Sequence, residues 1–164
     1  EAAQPKSPGG REPLELPQPI PDHTTGIKLV LDALTDPAHG VIASLDEVKA
    51  VGHRVAHGGE FFPESCIVTE DVKAKIRSLF EIAPLHNPAN LEGVLSIEKV
   101  LPGVKQVTVF DTSFHQSIPA VNYMYALPHA YYEKYRVRKY GFHGTSHSYV
   151  SKKAARFWAK STKI

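Results

Sequence analysis

Four short segments of the sequence combine histidine, arginine, aspartate or asparagine with glycine or proline, and these residue types can bind small anionic substrates. The segments are residues 53–60 (HRVAHGGE), 85–90 (LHNPAN), 110–115 (FDTSFH) and 141–147 (GFHGTSH). Each lies where the sequence predicts a loop or the end of a strand. Because open α/β sheets bind ligands at the carboxyl ends of their strands, we expect these segments to carry the functional residues.

Arg54 lies between two histidines near the end of a predicted strand, just before a pair of glycines. A guanidinium in this position can bind a carboxylate or a phosphate through two parallel hydrogen bonds. It can equally well form an ion pair within the protein, with Glu60 or Asp111 as the partner. The residue types alone leave both interpretations open.

His53 and His57 are four residues apart and would lie on the same side of a strand, which makes a metal site conceivable. Their spacing supplies no third ligand, so other roles are favoured for both. A metal-dependent hydrolase that adds His143 and Asp111 to this pair stays as an alternative.

Asp111 directly follows the hydrophobic strand predicted over residues 106–110. A carboxylate there either caps the connection that follows or takes part in catalysis at the carboxyl edge of the sheet. The residue alone does not decide between these roles. His115, four residues later, is expected to form structural hydrogen bonds.

His143 and His147 flank the predicted start of the last helix. Backbone amides at a helix start favour anions, so a histidine beside them can contact a phosphoryl group. We assign that contact to His143 and expect His147 to hydrogen-bond within the turn. In the 85–90 segment, Asn87 is expected to form an Asx turn or to cap the next helix.

Composition excludes several classes of function. The chain has 19 Lys and Arg residues against 17 Asp and Glu, a net charge of +2, which is too small for a nucleic-acid-binding surface. No apolar run approaches the roughly 20 residues that would span a bilayer. Neither a Walker-type phosphate loop nor a G-x-G-x-x-G motif is present. The single cysteine, Cys66, is expected to be a small buried apolar residue in a reducing, cytoplasmic setting.

Hydrophobic periodicity predicts an α/β fold with a partly buried sheet, preceded by a disordered or extended arm over residues 1–22. Helices are predicted over residues 24–34, from Thr69 to Pro84, over 91–101, over 128–135 and after Ser146, and strands over 50–57, 106–110 and 121–127.

Helix-capping residues are predicted at several of these boundaries. They are Thr24 or Thr25 for the first helix, Thr69 for the second, Thr145 or Ser146 for the last, and a capping box from Ser44 to Glu47.

Together the four segments resemble the acetokinase family in their order along the chain and in their amino-acid sequences. The matching stretches are HRVAHGGE, APLHNPAN, VFDTSFHQSIP and RKYGFHGTSHSYVS, and the resemblance covers about residues 25–158. It implies the ribonuclease-H-like, actin-like α/β fold of the acetate and sugar kinase superfamily, in which two domains close over a cleft and homodimers are common. Residues 23–164 would then be part of the amino-terminal domain.

The resemblance implies reversible phosphoryl transfer between ATP and acetate, giving ADP and acetyl phosphate, with Mg²⁺ and a link to acetyl-CoA formation. Such a transfer depends mainly on positioning and electrostatic stabilisation. By the resemblance, Arg54 binds the acetate carboxylate, Asp111 lies near the reacting groups and His143 steadies the transferring phosphoryl group. Because acetate is already ionised at pH 7, we expect Asp111 to orient Mg²⁺ or Arg54 rather than to act as a strong base.

The resemblance assigns the wall around the acetate methyl group to Ala56, Leu85 and Phe142, and supporting roles to His86 and His147. The family usually has valine where this sequence has Ala56. Because a methylene is worth only about 1–3 kcal/mol in such a pocket, we expect relaxed selectivity between acetate and propionate. A propionate or butyrate kinase of the same family stays as an alternative, as does a non-catalytic product of the same ancestry.

Two family segments are absent from this sequence: the amino-terminal strand with its Asn-x-Gly-Ser-Ser-Ser loop, and the second domain with the adenosine site, an arginine and a Mg²⁺-associated glutamate. We therefore expect an internal portion of a family member that holds no metal ligand of its own. Most ligands of ATP and Mg²⁺ would lie outside it. Acetate or acetyl phosphate and ATP or ADP are the expected partners, without nucleic acid or membrane.

We predict that the 164-residue polypeptide alone neither binds ATP tightly nor makes acetyl phosphate, because it would hold only part of an active site. A coupled hydroxamate assay with ATP, Mg²⁺ and acetate measures this directly. Turnover above that of a reaction without protein would contradict the prediction.

Overall fold

The computed structural model describes residues 17–161 of the chain, with side chains as far as residue 159. Most of the predicted arm at residues 1–22 therefore lies outside the described residues. The chain divides between Val48 and Lys49 into two compact units, which are described separately. None of the described helices is both long enough and apolar enough to cross a membrane.

The first unit contains helix α1 (His23–Leu34), which confirms the first predicted helix. Its cap is Asp22, whose carboxylate accepts a hydrogen bond from the Thr25 backbone N–H at 2.7 Å. The prediction that Thr24 or Thr25 caps this helix is wrong. Aspartate caps at least as well as threonine, and here it stands just before the first helical residue.

The predicted capping box of the first unit is present at a 3₁₀ turn over Leu45–Glu47. The Ser44 hydroxyl accepts the Asp46 N–H at 3.1 Å, and the Glu47 carboxylate accepts the Ser44 N–H at 3.4 Å. This local prediction is confirmed because all of its partners lie within five residues.

The second unit is built on a three-stranded sheet with the strand order β1–β3–β2. Strand β1 (Ala50–Val55) is parallel to β3 (Lys105–Phe110), and β2 (Cys66–Ile67) is antiparallel to β3. Val55 lies opposite Phe110, so β1 and β3 end side by side. Two of the three predicted strands, those over residues 50–57 and 106–110, are confirmed, although β1 ends two residues earlier than expected.

Two helices pack beside the sheet. Helix α3 (Asn87–Val100) contacts β1, and α2 (Glu70–Ser78) contacts α3. The predicted cap of α2 is confirmed, because the Thr69 hydroxyl accepts the Val72 N–H at 3.3 Å. The buried core consists of Val55, Phe62, Val72, Ile76, Leu91, Val94 and Phe110.

Two sequence predictions in this part of the unit are only partly met. Helix α2 ends at Ser78, before the predicted end at Pro84, and residues 79–86 form turns. Cys66 is half-buried rather than buried, with its Sγ 3.3 Å from Thr108 Oγ1.

The strand predicted over residues 121–127 is wrong. The chain instead completes the short helix α4 (Ala120–Tyr123) and continues without helix or strand to residue 127. A 3₁₀ turn (Ser113–Ser117) precedes this stretch, and α5 (Ala130–Tyr135) follows it and confirms the helix predicted over residues 128–135. The Tyr123 ring lies 3.5 Å from the guanidinium carbon of Arg138. The aromatic content that favours a strand in sequence therefore serves packing against a cation.

Helix α6 (Gly144–Ser161) confirms the last predicted helix, but its predicted cap is wrong, since Thr145 and Ser146 lie inside its first turn. The Gly144 N–H donates to the Asp111 carbonyl at 2.8 Å. A Cβ at Gly144 would lie 2.5 Å from that carbonyl oxygen, so only glycine permits this approach. A residue distant in sequence sets the start of the helix.

Asn87 does not cap α3, contrary to the sequence prediction. It is the first residue of the helix, and its side chain is fully buried. Its Oδ1 accepts the His57 N–H at 3.1 Å, and its Nδ2 donates to the His57 carbonyl at 2.9 Å. Asn87 thus ties α3 to the chain just beyond β1.

We predict that Asn87→Ala lowers the free energy of unfolding by about 2–4 kcal/mol, because it leaves two buried backbone groups of His57 without partners. Urea unfolding followed by circular dichroism measures the change. The control is Asn122→Ala at an exposed position, expected to change stability by less than about 0.5 kcal/mol. An equally small effect at Asn87 would contradict the prediction.

Candidate active site

The parallel register of β1 and β3 brings two of the four sequence segments together. The Asp111 N–H donates to the Val55 carbonyl at 3.0 Å, which extends the pairing one residue beyond β3. The first segment therefore leaves β1 beside the residue that follows β3. This is the edge of the sheet at which the sequence predicts a site.

Arg54 and Asp111 form a two-point ion pair at this edge. Arg54 Nε donates to Asp111 Oδ1 at 2.9 Å, and Nη2 donates to Oδ2 at 2.6 Å. The Arg54 side chain is 69% exposed, whereas that of Asp111 is 7% exposed. Of the two partners proposed from sequence, Asp111 is the observed one, while Glu60 bonds to Arg138. The ion pair that the residue types left open for Arg54 is therefore present, with Asp111 as the partner.

The hydrogen bonds from Arg54 hold the pKa of Asp111 below its ordinary value, and they outweigh the opposite effect of burial. The His143 backbone N–H lowers it further. The same pair raises the pKa of Arg54. Asp111 is therefore an ionised anchor at neutral pH and a poor proton acceptor.

His143 lies beside Asp111 in an uncommon backbone conformation, with φ at 53°. Its Nδ1 is 3.8 Å from Asp111 Oδ2, and its ring is 70% exposed. A left-handed conformation costs a residue other than glycine on the order of 1–3 kcal/mol. The bonds from His143 N–H and Gly144 N–H to Asp111 offset this cost and keep the ring at the site.

The loop over residues 56–59, called the 56–59 loop below, has an unusual pattern of hydrogen bonds, because a side chain accepts each of its four successive backbone N–H groups. The acceptors, in chain order, are Asn90 Oδ1 at 2.9 Å, Asn87 Oδ1 at 3.1 Å, Thr112 Oγ1 at 2.9 Å and His57 Nδ1 at 2.9 Å. Three of these acceptors come from distant parts of the chain. The loop is therefore fixed without strand or helix pairing of its own.

The His57 ring is buried behind the site. It packs edge-on against Tyr140 at 4.5 Å and against Phe142 at 5.5 Å between ring centroids. Burial lowers the pKa of His57, and its Nδ1 accepts the Gly59 N–H. His57 is thus a neutral packing residue that supports Phe142.

Arg138 anchors the segment that carries Phe142 and His143. It is buried, its Nη1 donates to Glu60 Oε1 at 2.7 Å, and its guanidinium lies over Tyr140. The Tyr132 hydroxyl also donates to Glu60 at 2.9 Å, which raises the pKa of Tyr132 to about 12. This network joins the first segment of the site to the last.

An open cleft of about 570 Å³ lies at the site, and its lining residues are Arg54, Ala56, His86, Asn90, Asp111, Phe142 and His143. Six of these seven residues are predicted from sequence. A second cavity of about 740 Å³ shares Arg54, Asp111 and His143 with the first. The ion pair therefore borders both spaces.

Leu85 and His147 do not line the cleft. Leu85 is 86% exposed, and the His147 ring lies 5.4 Å from the His115 ring. His115 Nε2 donates to the Phe142 carbonyl at 2.9 Å, which confirms its structural role. A Cβ at Gly141 would overlap the His115 ring, so glycine is required there. The proposed roles of Leu85 and His147 stay predictions.

The histidines suggested as metal ligands do not converge. His57 Nδ1 is occupied by the Gly59 N–H, and His53 Nε2 is 2.7 Å from Gln106 Oε1. Burial lowers the pKa of His53 as well. Within residues 17–161, no group of three or more His, Cys, Asp or Glu side chains could hold a metal ion. This arrangement does not favour the hydrolase hypothesis.

Asn90, Arg138 and the packing role of His57 are absent from the sequence predictions. Their partners lie 34 residues away for Asn90 and 78 for Arg138. No local pattern in the sequence links such positions. The Asn-Pro-x-Asn spacing of the second segment is the signal that could have found Asn90, because residues three apart lie on neighbouring positions of one helix face.

The chain is similar to known proteins over most of its length. The sequence model of the Acetokinase family matches residues 5–163. The acetate kinase of Caldicellulosiruptor saccharolyticus is 56% identical over 146 residues, which are 89% of this chain and 37% of that protein. The acetate kinase of Syntrophomonas wolfei is 52% identical over 154 residues, 94% of this chain and 39% of that protein.

Two solved structures are also similar. The Porphyromonas gingivalis acetate kinase has a TM-score of 0.81 at 50% identity and covers 87% of this chain and 36% of its own. The Francisella tularensis propionate kinase has a TM-score of 0.75 at 40% identity, with 83% and 34% covered. These are members of the acetate and sugar kinase superfamily, so the predicted fold class is confirmed.

The chain spans between 34% and 39% of the length of the curated relatives that it matches. The match to the family extends over nearly the whole of this chain, and the two relatives described above are more than 50% identical to it. This chain therefore belongs to the acetokinase family.

Proposed function

We propose that the chain forms the carboxylate-binding part of an acetate kinase, which transfers a phosphoryl group reversibly between ATP and acetate. The observation that carries this proposal is the exposed guanidinium of Arg54, fixed by Asp111 in a cleft beside Ala56 and Phe142. A cation next to a small apolar wall suits a short carboxylate. Family membership supports the same reading.

In this proposal Arg54 binds the substrate carboxylate. Its Nε and one hydrogen of Nη2 are engaged by Asp111, so the remaining guanidinium hydrogens are available to a second acceptor. Because Asp111 restricts rotation of the guanidinium, little side-chain entropy is lost when a substrate binds. The ion pair thus prepares Arg54 before the substrate arrives.

Asp111 acts here as a positioning residue and His143 contacts the transferring phosphoryl group. The carboxylate nucleophile needs no deprotonation at neutral pH, so no base is required, and the lowered pKa of Asp111 makes it a weak one. Phosphoryl transfer spreads negative charge over the equatorial oxygens, and an exposed imidazole beside the pair can donate to one of them. His143 lines both cavities, which supports this role.

The acyl wall in the proposal consists of Ala56 and Phe142, with Leu85 as a further member and with His86 and His147 supporting the site. Ala56 and Phe142 line the cleft, as does His86. The leucine and His147 would need contacts beyond those in this structure, and their roles rest on the family resemblance.

The proposed reaction uses ATP and Mg²⁺. The proposal also includes a cytoplasmic location and a homodimeric full-length protein. Asp111 is the carboxylate at the cleft, and both of its oxygens bond to Arg54. Within the described part of the chain no group of three or more potential ligands is present. The described residues therefore do not fit a complete metal site, and the proposal includes no step through the ion.

A propionate kinase is the second candidate. Ala56 lines the cleft and leaves more room than a valine would. The similar Francisella tularensis structure is that of a propionate kinase. The ratio of kcat/KM for propionate to that for acetate separates the two activities.

A chimera tests the proposed activity. The matching segment of the Caldicellulosiruptor saccharolyticus acetate kinase is replaced by this chain's residues. We expect it to form acetyl phosphate with kcat/KM within about tenfold of the relative.

Arg54→Gln should raise the KM for acetate roughly 10- to 100-fold, because it removes a charged hydrogen-bond donor. Arg77→Gln, at an exposed position on α2, is the control. A folded chimera without turnover, or an unchanged KM in Arg54→Gln, would refute the proposal.

The acyl preference depends on Ala56. In the chimera, Ala56→Val should lower the ratio of kcat/KM for propionate to that for acetate by roughly tenfold, because the added methyl groups fill the space for a longer acyl chain. Parallel assays with the two acids measure this ratio. Ala89→Val, at an exposed position on α3, should leave it unchanged. Equal ratios in the chimera and in Ala56→Val would show that this position does not set selectivity.

A further inference from the structure

Asn90 lines the cleft, and its side-chain oxygen accepts a hydrogen bond from the 56–59 loop. It lies in the first turn of α3, and its backbone N–H donates to the His86 carbonyl at 2.9 Å. The residue is half-buried and lines the cleft together with Arg54 and His143. It is therefore held on a helix rather than on a free loop.

The orientation of the Asn90 amide is fixed by its partner. Oδ1 accepts the Ala56 N–H at 2.9 Å, and a backbone N–H requires an acceptor, so the oxygen must face the 56–59 loop. The amide nitrogen is then directed away from that bond. Among the described residues it has no hydrogen-bond partner, and it retains two hydrogens to donate.

Asn87, three residues earlier, shows what a purely structural asparagine does in this helix. It is fully buried, and both its oxygen and its nitrogen bond to the His57 backbone. Asn90, which lines the cleft, makes only the bond through its oxygen. The two asparagines lie on one helix turn. Asn87 forms hydrogen bonds through both atoms of its amide group, whereas Asn90 forms one through its oxygen.

A carboxylate bound at Arg54 has room for a further hydrogen-bond donor. Asp111 offsets the charge of Arg54, so the pair together attracts an anion less than a lone arginine would. A carboxylate can accept about four hydrogen bonds, and Arg54 cannot supply all of them while two of its nitrogens bond to Asp111. A second donor at a different angle would also fix the rotation of the substrate.

On the basis of the proposed function, we infer that Asn90 is a substrate-binding residue. Its Nδ2 donates a hydrogen bond to one carboxylate oxygen of acetate, or to the acyl oxygen of acetyl phosphate. Its Oδ1 keeps the bond to Ala56, so substrate binding and the shape of the 56–59 loop are coupled through one side chain.

Nuclear magnetic resonance on the full 164-residue chain tests this directly, with sodium acetate as the probe. The side-chain amide signals of Asn90 should shift saturably, in parallel with the Arg54 guanidinium signals. Those of the exposed Asn122 should not move. Saturable shifts at Arg54 without any at Asn90 would overturn this inference alone. No saturable shift at either residue would overturn the proposed acetate site as well.

Kinetics in the chimera give a second readout. Asn90→Asp retains an oxygen for the Ala56 N–H but loses the donor, and it should raise the KM for acetate roughly 10- to 100-fold with the KM for ATP and the Tm unchanged. The neutral Asn90→Leu should change the acetate KM in the same direction, which excludes charge repulsion as the cause. Asn122→Asp is the matched charge control. An acetate KM within about twofold of the chimera in Asn90→Asp would overturn the inference.

Discussion

The parallel pairing of β1 and β3 is the constraint on which the rest of the site depends. With Val55 opposite Phe110, the Asp111 N–H meets the Val55 carbonyl, and Arg54 reaches the Asp111 carboxylate with two hydrogen bonds. Successive side chains in a strand point to opposite faces, so a slip of one residue would turn Arg54 away from Asp111. The ion pair is thus a consequence of register, and the buried Val55 and Phe110 in the core fix that register.

The same constraint explains why so many polar groups are buried beside the cleft. Where β1 ends, the chain must turn without strand partners, and four successive N–H groups of the 56–59 loop would otherwise be unsatisfied. Side chains from α3 and from the residue after Asp111 accept three of them, and His57 accepts the fourth. Because a buried unsatisfied group costs about 1–3 kcal/mol, this network determines where Ala56 lies. The acyl wall is therefore set by hydrogen bonds rather than by apolar packing alone.

Much of the fold could be predicted because its signals are local. The Ser44 capping box and the Thr69 cap have their partners within a few residues, and β3 is recognised from its own consecutive residues. The failures share the opposite property. Residues 121–127 are aromatic because Tyr123 packs on Arg138, and α6 begins at Gly144 because of the distant Asp111 carbonyl. In the site, residue types pointed to Arg54 and Asp111, but no periodicity could assign Asn87 and Asn90 to backbone groups 30 and 34 residues away.

In the proposed function, the net charge of the site contributes less to substrate binding than the orientation of its hydrogen-bond donors does. Asp111 is nearly buried and ionised, and it cancels most of the field of Arg54, so a carboxylate gains little from long-range steering. In the proposed function, recognition then depends on donors that are already oriented when the substrate enters. Asp111 fixes Arg54, the bonds to Asp111 fix His143, and the Ala56 N–H fixes the amide of Asn90. Each donor is held by a group that the register of β1 and β3 has placed, which links discrimination in the cleft to the pairing of two strands.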